Sequence, residues 1–186
     1  MKRLFTLLVI ILFLPGCSSH SERLNQAMKM RGTLNKAQGC RFTAENTADY
    51  GKEVYTFSMD CRWDNGGILT FEVVKPESIS GITGKISNEG SSLTFDGKVL
   101  AFQSIADDYI TPVTAPWLFV KTLAGGYIES VAKEDTLLHI LAQDTYASES
   151  MTMDIWITEE NLPTRAEMVW KGKRILTLNV KNFAYL

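Results

Sequence analysis

The sequence predicts a single α+β domain built on one antiparallel meander, and three observations predict it. Apolar and polar residues alternate with the two-residue period of half-buried strands through most of the chain. Clusters of Gly, Asn, Asp and Pro recur between those strands as turn signals. Only two stretches, residues 18–38 and residues 115–124, carry helical signals instead. About ten strands and two helices, in the order helix–strands–helix–strands, imply one layer of sheet with helices against it. No repeat, low-complexity tract or linker divides the chain.

The N-terminus comes first. Met1-Lys2-Arg3 is a short basic segment, and the run from Leu4 to Leu14 is apolar apart from Thr6. As a helix that run rises about 16 Å, well short of the ~30 Å hydrocarbon core of a bilayer. A basic start, a short apolar stretch and small residues before a cut site describe a secretory signal, residues 1–16. Leu14-Pro15-Gly16-Cys17 resembles the lipobox of bacterial lipoproteins, in which the Cys thiol receives a diacylglyceryl group and becomes the first residue. The resemblance implies a lipidated Cys17 and a place on the extracytoplasmic face of a cell membrane. The alternatives are an ordinary signal with an incidental Cys, or an uncleaved anchor. Two acyl chains make a durable anchor where one would not.

Residues 17–21 are expected to be the lipidated Cys and a short tether, and residues 22–186 one domain. Ser19-His20-Ser21-Glu22 has capping-box spacing, and Leu24, Ala27, Met28, Arg31 and Leu34 follow at helical intervals. Gly32 weakens the middle of that helix, and Gly39 is a suitable stop.

Strands begin at Cys40-Arg41-Phe42-Thr43-Ala44-Glu45. From Tyr55 to Trp63 the alternation is close to ideal, with Tyr55, Phe57, Met59, Cys61 and Trp63 on one face. A hairpin centred on Tyr50-Gly51 would set Cys40 directly opposite Cys61, at a Cα separation of roughly 4.5–5.5 Å that permits a disulfide. With Cys17 assigned to lipid, the two form an even pair in a compartment where disulfides are allowed. The alternative is two buried free thiols. Asp64-Asn65-Gly66-Gly67 is a strong turn, followed by a strand through Leu69, Phe71 and Val73 that ends at Lys75-Pro76. Short strands are expected at Ile79–Ile86, Ser92–Phe95 and Lys98–Gln103. Ala115–Ala124 reads as a short helix with Pro116 near its start, closed by Gly125-Gly126. Five strands finish the chain: Tyr127–Ala132, Thr136–Asp144, Met151–Ile157, Thr164–Trp170 and Arg174–Asn182.

Composition narrows the function. Without the signal the chain keeps 17 basic residues against 21 acidic, a net charge near −4, and no like-charge run exceeds two or three residues. Nucleic-acid binding needs a clustered basic surface, so it is not expected. His/Cys spacing supplies no set of three or four metal ligands, and no nucleophile elbow, phosphate loop or dinucleotide fingerprint occurs. His139, between leucines on a strand, is expected to pack rather than act as a base, and Ser91-Ser92 and Asp107-Asp108 to be solvated loop residues. The expectation is a non-enzymatic chain without metal or cofactor.

The C-terminal half carries a further resemblance. Asp154-Ile155-Trp156-Ile157, Asn161-Leu162-Pro163-Thr164-Arg165-Ala166-Glu167, Gly172-Lys173-Arg174 and Asn182-Phe183 are similar to the closing meander of LolA/LolB-type proteins. The stretch Pro112–Gly126 falls where that fold places a lid helix. The resemblance implies a strongly curved antiparallel half-barrel with an N-terminal helix and a short central lid helix on its concave face. Carriers of that superfamily bind acyl chains in the concavity. A lipid-anchored branch of spore-forming bacteria, the GerS-like germination lipoproteins, instead serves as partner to a cortex amidase.

Two readings follow. In one, an apolar ligand lies between sheet and lid, and Trp117, Leu118, Phe119 and Leu123 contact it. In the other, the chain is an adaptor for a cell-envelope protein. Trp156 is out of phase with Met153, Ile155 and Ile157, so it faces the other side of the sheet and is the candidate partner contact. Trp117, Leu118, Phe119 and Leu123 could also fill the concavity as core, and Trp156 could lie beneath the N-terminal helix.

Overall fold

The structure is a computed structural model and describes residues 18–94, 111–145 and 151–186. Helix α1 spans Ser18–Lys36 and is followed by β1 (Gly39–Asp49), β2 (Val54–Asp64) and β3 (Leu69–Lys75). A single 3-10 turn at Glu77–Ile79 leads to β4 (Thr83–Ser87) and β5 (Gly90–Thr94). Helix α2 spans Ala115–Gly125. Strands β6 (Tyr127–Glu134), β7 (Leu137–Gln143), β8 (Thr152–Ile157), β9 (Pro163–Trp170) and β10 (Lys173–Tyr185) complete the described chain. No helix among the described residues is long and apolar enough to cross a membrane.

The ten strands form one antiparallel sheet in the order β5-β4-β3-β2-β1-β10-β9-β8-β7-β6. Each half of the chain is thus its own five-stranded meander, and the pairing of β1 with β10 joins the two. That seam is closed at its end by main-chain bonds from Gln38 N–H to Leu186 O and from Leu186 N–H to Gly39 O. The pleat sends alternate residues to opposite faces, so Cys40, Phe42, Ala44, Asn46 and Ala48 of β1 are buried on one side. Opposite them stand Leu176, Leu178 and Val180 of β10 and Phe57, Met59 and Cys61 of β2. Register shifts occur at Arg41/Thr43, Ser58/Met59, Ile128/Ser130, Trp156/Ile157 and Arg174/Leu176. Each bulge adds twist and bends its strand, which gives the sheet a concave, apolar face.

Turn chemistry fits the hairpins. Lys171 and Gly172 both have positive φ, at 49° and 76°, which is the backbone of the tight two-residue turn that matches strand twist. At the β1–β2 turn, Gly51 takes φ 85° and its N–H donates to Asp49 Oδ1 at 2.6 Å. Gly39 is required by closeness instead: a Cβ there would lie 2.0 Å from Trp63 O across the hairpin.

Both helices cover the concave face. On α1 the buried stripe is Ala27, Met30 and Leu34, and the helix packs on β6, β7, β1 and α2. Helix α2 packs on β2, β10 and α1, with Ala115, Pro116, Leu118, Phe119, Val120, Thr122 and Leu123 buried. The α+β half-barrel expected from the sequence is the observed architecture.

Several sequence expectations are corrected. The helix already begins at Ser18, so the residues expected as a tether are helical. Ile79–Ile86 is not one strand, because Gly81, with φ 84°, turns the chain between the 3-10 turn and β4. The β1–β2 turn is centred one residue later than expected, so Cys40 pairs with Trp63, and Cys61 with Phe42. Cys40 and Cys61 are therefore diagonal on the concave face, and both thiols are free. The expected disulfide is absent because the turn is built on Tyr50–Glu53, where Tyr50 N–H donates to Glu53 O, rather than centred on Tyr50-Gly51. Cys17, the expected strand Lys98–Gln103 and Asp107-Asp108 lie outside the described residues.

Candidate binding site under the central helix

Helix α2 lies across the concave face because nearly its whole circumference is apolar, and its Pro116 suits a first turn. Phe119 is fully buried, with its ring edge-on to Phe42 of β1 at 5.9 Å between centroids. Phe42 in turn stacks on Phe183 of β10, also at 5.9 Å. Leu118 and Leu123 are buried beside it, so these three predicted contacts occupy the concavity as core. Trp117 is half-buried at the margin. Its Nε1–H donates to Gly67 O in the β2–β3 turn at 3.0 Å, and Lys121 Nζ sits 4.6 Å above its ring.

The other end of α2 is held by α1. Arg31 Nε donates to Leu123 O at 2.8 Å, and its Nη2 donates to Gly126 O at 2.8 Å and to Thr122 O at 3.4 Å. Asn35 Nδ2 donates to Ala124 O at 3.1 Å. The carbonyls of Leu123 and Ala124 are among those a helix C-terminus leaves without intrahelical partners, whereas Thr122 O also accepts from Gly126 N–H at 2.8 Å. A cation there also meets the negative end of the helix dipole. The chain then enters β6 through Gly126, where a Cβ would come within 2.6 Å of Gln143 O and 2.8 Å of Thr122 O. Sequence reasoning placed Arg31 only as a helical-interval position. Its signal was there to find, since a long cation interrupts the otherwise apolar series Ala27, Met30 and Leu34 on the buried side of α1.

The cysteines contribute burial rather than reactivity. Burial pushes the Cys40 thiol up to about 12, against 9.0 for an ordinary thiol. Cys61 is also raised well above the ordinary value, by burial first and then by the neighbouring charges of Asp60 and Cys40. Thiols held protonated in this way are poor nucleophiles and poor metal ligands.

Trp156 lies on the convex face, away from both helices. Its ring stacks on His139 at 4.8 Å with 14° between planes, its Nε1–H donates to Glu134 Oε2 at 2.7 Å, and Arg165 covers the ring at 5.1 Å. His139 Nε2 is 2.6 Å from Asp154 Oδ1. Strand alternation explains the cluster, because Leu138 and Ile140 point inward while His139 points out beside Asp154 and Trp156. His139 is therefore a packed residue of the outer face rather than of the apolar interior. Glu167 binds both Arg165 and Arg174 next to this stack. Further along the same face, a shallow groove of about 690 Å³ runs between Glu45, Thr47, Thr56, Ser58 and Lys75. A second of about 510 Å³ is lined by Asp60, Arg62, Thr70, Glu72 and Lys85. Among the described residues no group of three or more His, Cys, Asp or Glu is placed to hold a metal ion.

No protein-family profile and no curated protein sequence matches this chain. Solved structures align with it over most of its length at low identity. An uncharacterized conserved protein of Thermus thermophilus shares 12% identity over 86% of this chain and 87% of its own, with a TM-score of 0.46. A LolA superfamily protein of Nitrosomonas europaea shares 7% identity over 84% of this chain and 92% of its own, with a TM-score of 0.41. LprF of Mycobacterium bovis shares 11% identity over 88% of this chain and 93% of its own, with a TM-score of 0.40. At such identities and TM-scores these likenesses assign the chain to no family and bring no ligand with them.

Proposed function

We propose that this chain is a membrane-tethered, non-enzymatic binding module that holds an apolar, acyl-chain-like ligand between the concave face of the sheet and α2. The observation that carries the reading is the way α2 is fastened. A helix apolar almost all round lies in a concave apolar bed, and its C-terminal carbonyls are gripped by Arg31 and Asn35 of a different helix. Those polar bonds break and re-form without disturbing the strand ladder, so α2 can lift as a lid. An acyl chain would then replace Phe119 and Leu123 against the sheet. Burial of apolar surface drives such binding at about 25 cal/mol per Å². The lipobox-like Cys17 supplies the tether, with two acyl chains holding the domain at the extracytoplasmic face of the membrane. The resemblance to LolA/LolB-type proteins points to the same concavity.

Photolabelling tests this reading. A diazirine-bearing fatty acid incubated with the mature chain is expected to leave adducts on α2 and on the inward residues of β1, β2 and β10. Adducts confined to the convex face, or none, would remove the ligand from this site. The intact mass of the mature protein from the native membrane tests the diacylglyceryl group on Cys17 separately.

The convex face favours a second reading, that of an adaptor for a cell-envelope protein such as a wall amidase. Trp156 there is half-buried and flanked by Arg165, Glu167 and Arg174, a combination of aromatic and arginine that suits a protein contact. Under this reading the substitution Trp156→Ala abolishes partner capture and leaves photolabelling of the concave face intact.

A further inference from the structure

β1 is the fifth strand in the sheet order, so its inward residues form the floor of the half-barrel. Those residues are Cys40, Phe42, Ala44, Asn46 and Ala48, and the polar one, Asn46, lies between two alanines. Asn46 is completely buried, facing inward opposite Phe57 of β2 and Leu178 of β10. Among the described residues its Oδ1 has no hydrogen-bond partner. Among the described residues its Nδ2 has a long contact to Ala44 O at 3.5 Å and a weak-acceptor contact to Met59 Sδ at 3.5 Å. Exchanging the two ends of the amide would leave a donor orphaned in place of an acceptor. A buried polar group without a partner disfavours the folded state, and leucine would suit the site better on packing grounds alone. The alanines on either side keep the floor low around the amide.

We propose that Asn46 is the polar anchor of the concave site, and that the ligand is an acyl chain carrying an amide. This rests on the reading of the concavity as an apolar binding site and names the ligand class for it. A carboxamide presents one acceptor and donors in a plane, and an N-acyl amide is its complement. The ligand N–H donates to Asn46 Oδ1, the Asn46 Nδ2–H donates to the ligand carbonyl, and the chain runs past Ala44 toward Phe42, which Phe119 of α2 covers. A plain hydrocarbon satisfies neither group. Discrimination comes from the cost of leaving buried polar groups unpaired when the head is wrong.

The test uses the mature chain, residues 17–186, with Cys17→Ser so that no detergent is needed. The probe is N-phenyl-1-naphthylamine, a fluorophore that brightens in apolar sites, displaced in turn by dodecanamide and by dodecane. Asn46→Leu is expected to weaken dodecanamide at least tenfold relative to dodecane and to raise the urea midpoint. Asn46→Ala, which matches the neighbouring floor residues, repeats the loss of amide preference if the leucine overfills the site. Dodecanamide affinity unchanged in both variants overturns the anchor while leaving the concave site standing. A wild-type chain that binds no probe at all overturns the concave site and the anchor together.

Discussion

Arg31 on α1 donates from Nε to the carbonyl of Leu123 on α2 at 2.8 Å, across 92 positions of sequence. The two helices that cover the sheet are joined at this point by main-chain acceptors and one guanidinium, with Gly126 O and Thr122 O completing its set. Hydrogen bonds to a charged donor contribute about 1.5–3 kcal/mol, and removing that donor leaves part-buried carbonyls unsatisfied. Arg31→Ala is expected to destabilise the fold by about that amount in urea titration. Hydrogen exchange should rise mainly at Leu123–Tyr127, with the β1–β10 seam unaffected. Arg31→Lys should rescue little, because one ammonium cannot reproduce the fork that spans separate carbonyls.

Phe119 tests how tightly α2 beds on the sheet. It is fully buried and meets Phe42 edge-on, so Phe119→Ala removes a whole core ring and leaves a cavity. The expected loss is about 3–5 kcal/mol by urea or thermal unfolding. A cost near zero would mean that α2 does not pack where it is placed.

The glycine after α2 is held to its identity by neighbouring carbonyls. Its φ of −64° is open to any residue, so backbone freedom is not the reason. A methyl at position 126 would press on Gln143 O and Thr122 O. Gly126→Ala is expected to loosen the α2–β6 junction by about 1–3 kcal/mol, as overpacking does. Gly125→Ala, where nothing lies within 4 Å, should cost far less. Paired urea titrations of the two variants check this.

The thiols give a pH dependence with a definite sign. The folded chain holds Cys40 near 12 by burial, against 9.0 for an exposed thiol. Unfolding therefore releases a proton between those values. Stability contributed by the buried thiol is whole below pH 9.0 and falls as pH rises toward 12. The slope is about 1.4 kcal/mol per pH unit for one such group. Cys61 is shifted the same way. Cys40→Ala should flatten the alkaline limb of a stability-versus-pH curve. Iodoacetamide at pH 8 should modify both thiols only after unfolding. Rapid alkylation of the native protein would contradict their burial.

Local pattern made much of this fold legible. Alternation along Met59–Trp63, and the turns at Gly66-Gly67 and Lys171-Gly172, are properties of short sequence windows and survive in the structure, whereas Tyr55 is exposed and Ser58 is buried against the expected pattern. The α2 boundaries follow from Pro116 and the paired glycines in the same way. Features fixed by contacts distant in sequence were not legible. The β1–β2 register depended on which residues made the turn, and a turn centre displaced by one residue moved Cys61 from opposite Cys40 to opposite Phe42. Arg31 gave no local sign of its partners, because Leu123 and Gly126 are approximately a half-chain away. Asn46 lies just past the stretch Cys40–Glu45 expected as a strand, and nothing in the window told that β1 continues to Asp49 and buries it. His139 was expected to pack on its strand and does so, but its partners Asp154 and Trp156 lie on a neighbouring strand and gave no local sign.

Native mass spectrometry of the mature chain from a lipid-containing host shows whether the proposed lid α2 covers an acyl-chain-like ligand. A non-covalent adduct of acyl-lipid mass that leaves on denaturation is expected on the wild type. Retention of that adduct is expected to fall in Arg31→Ala, where α2 is no longer gripped. A bare mass in both proteins, obtained without denaturation and at full structural integrity, would contradict that reading and turn attention to the convex face around Trp156.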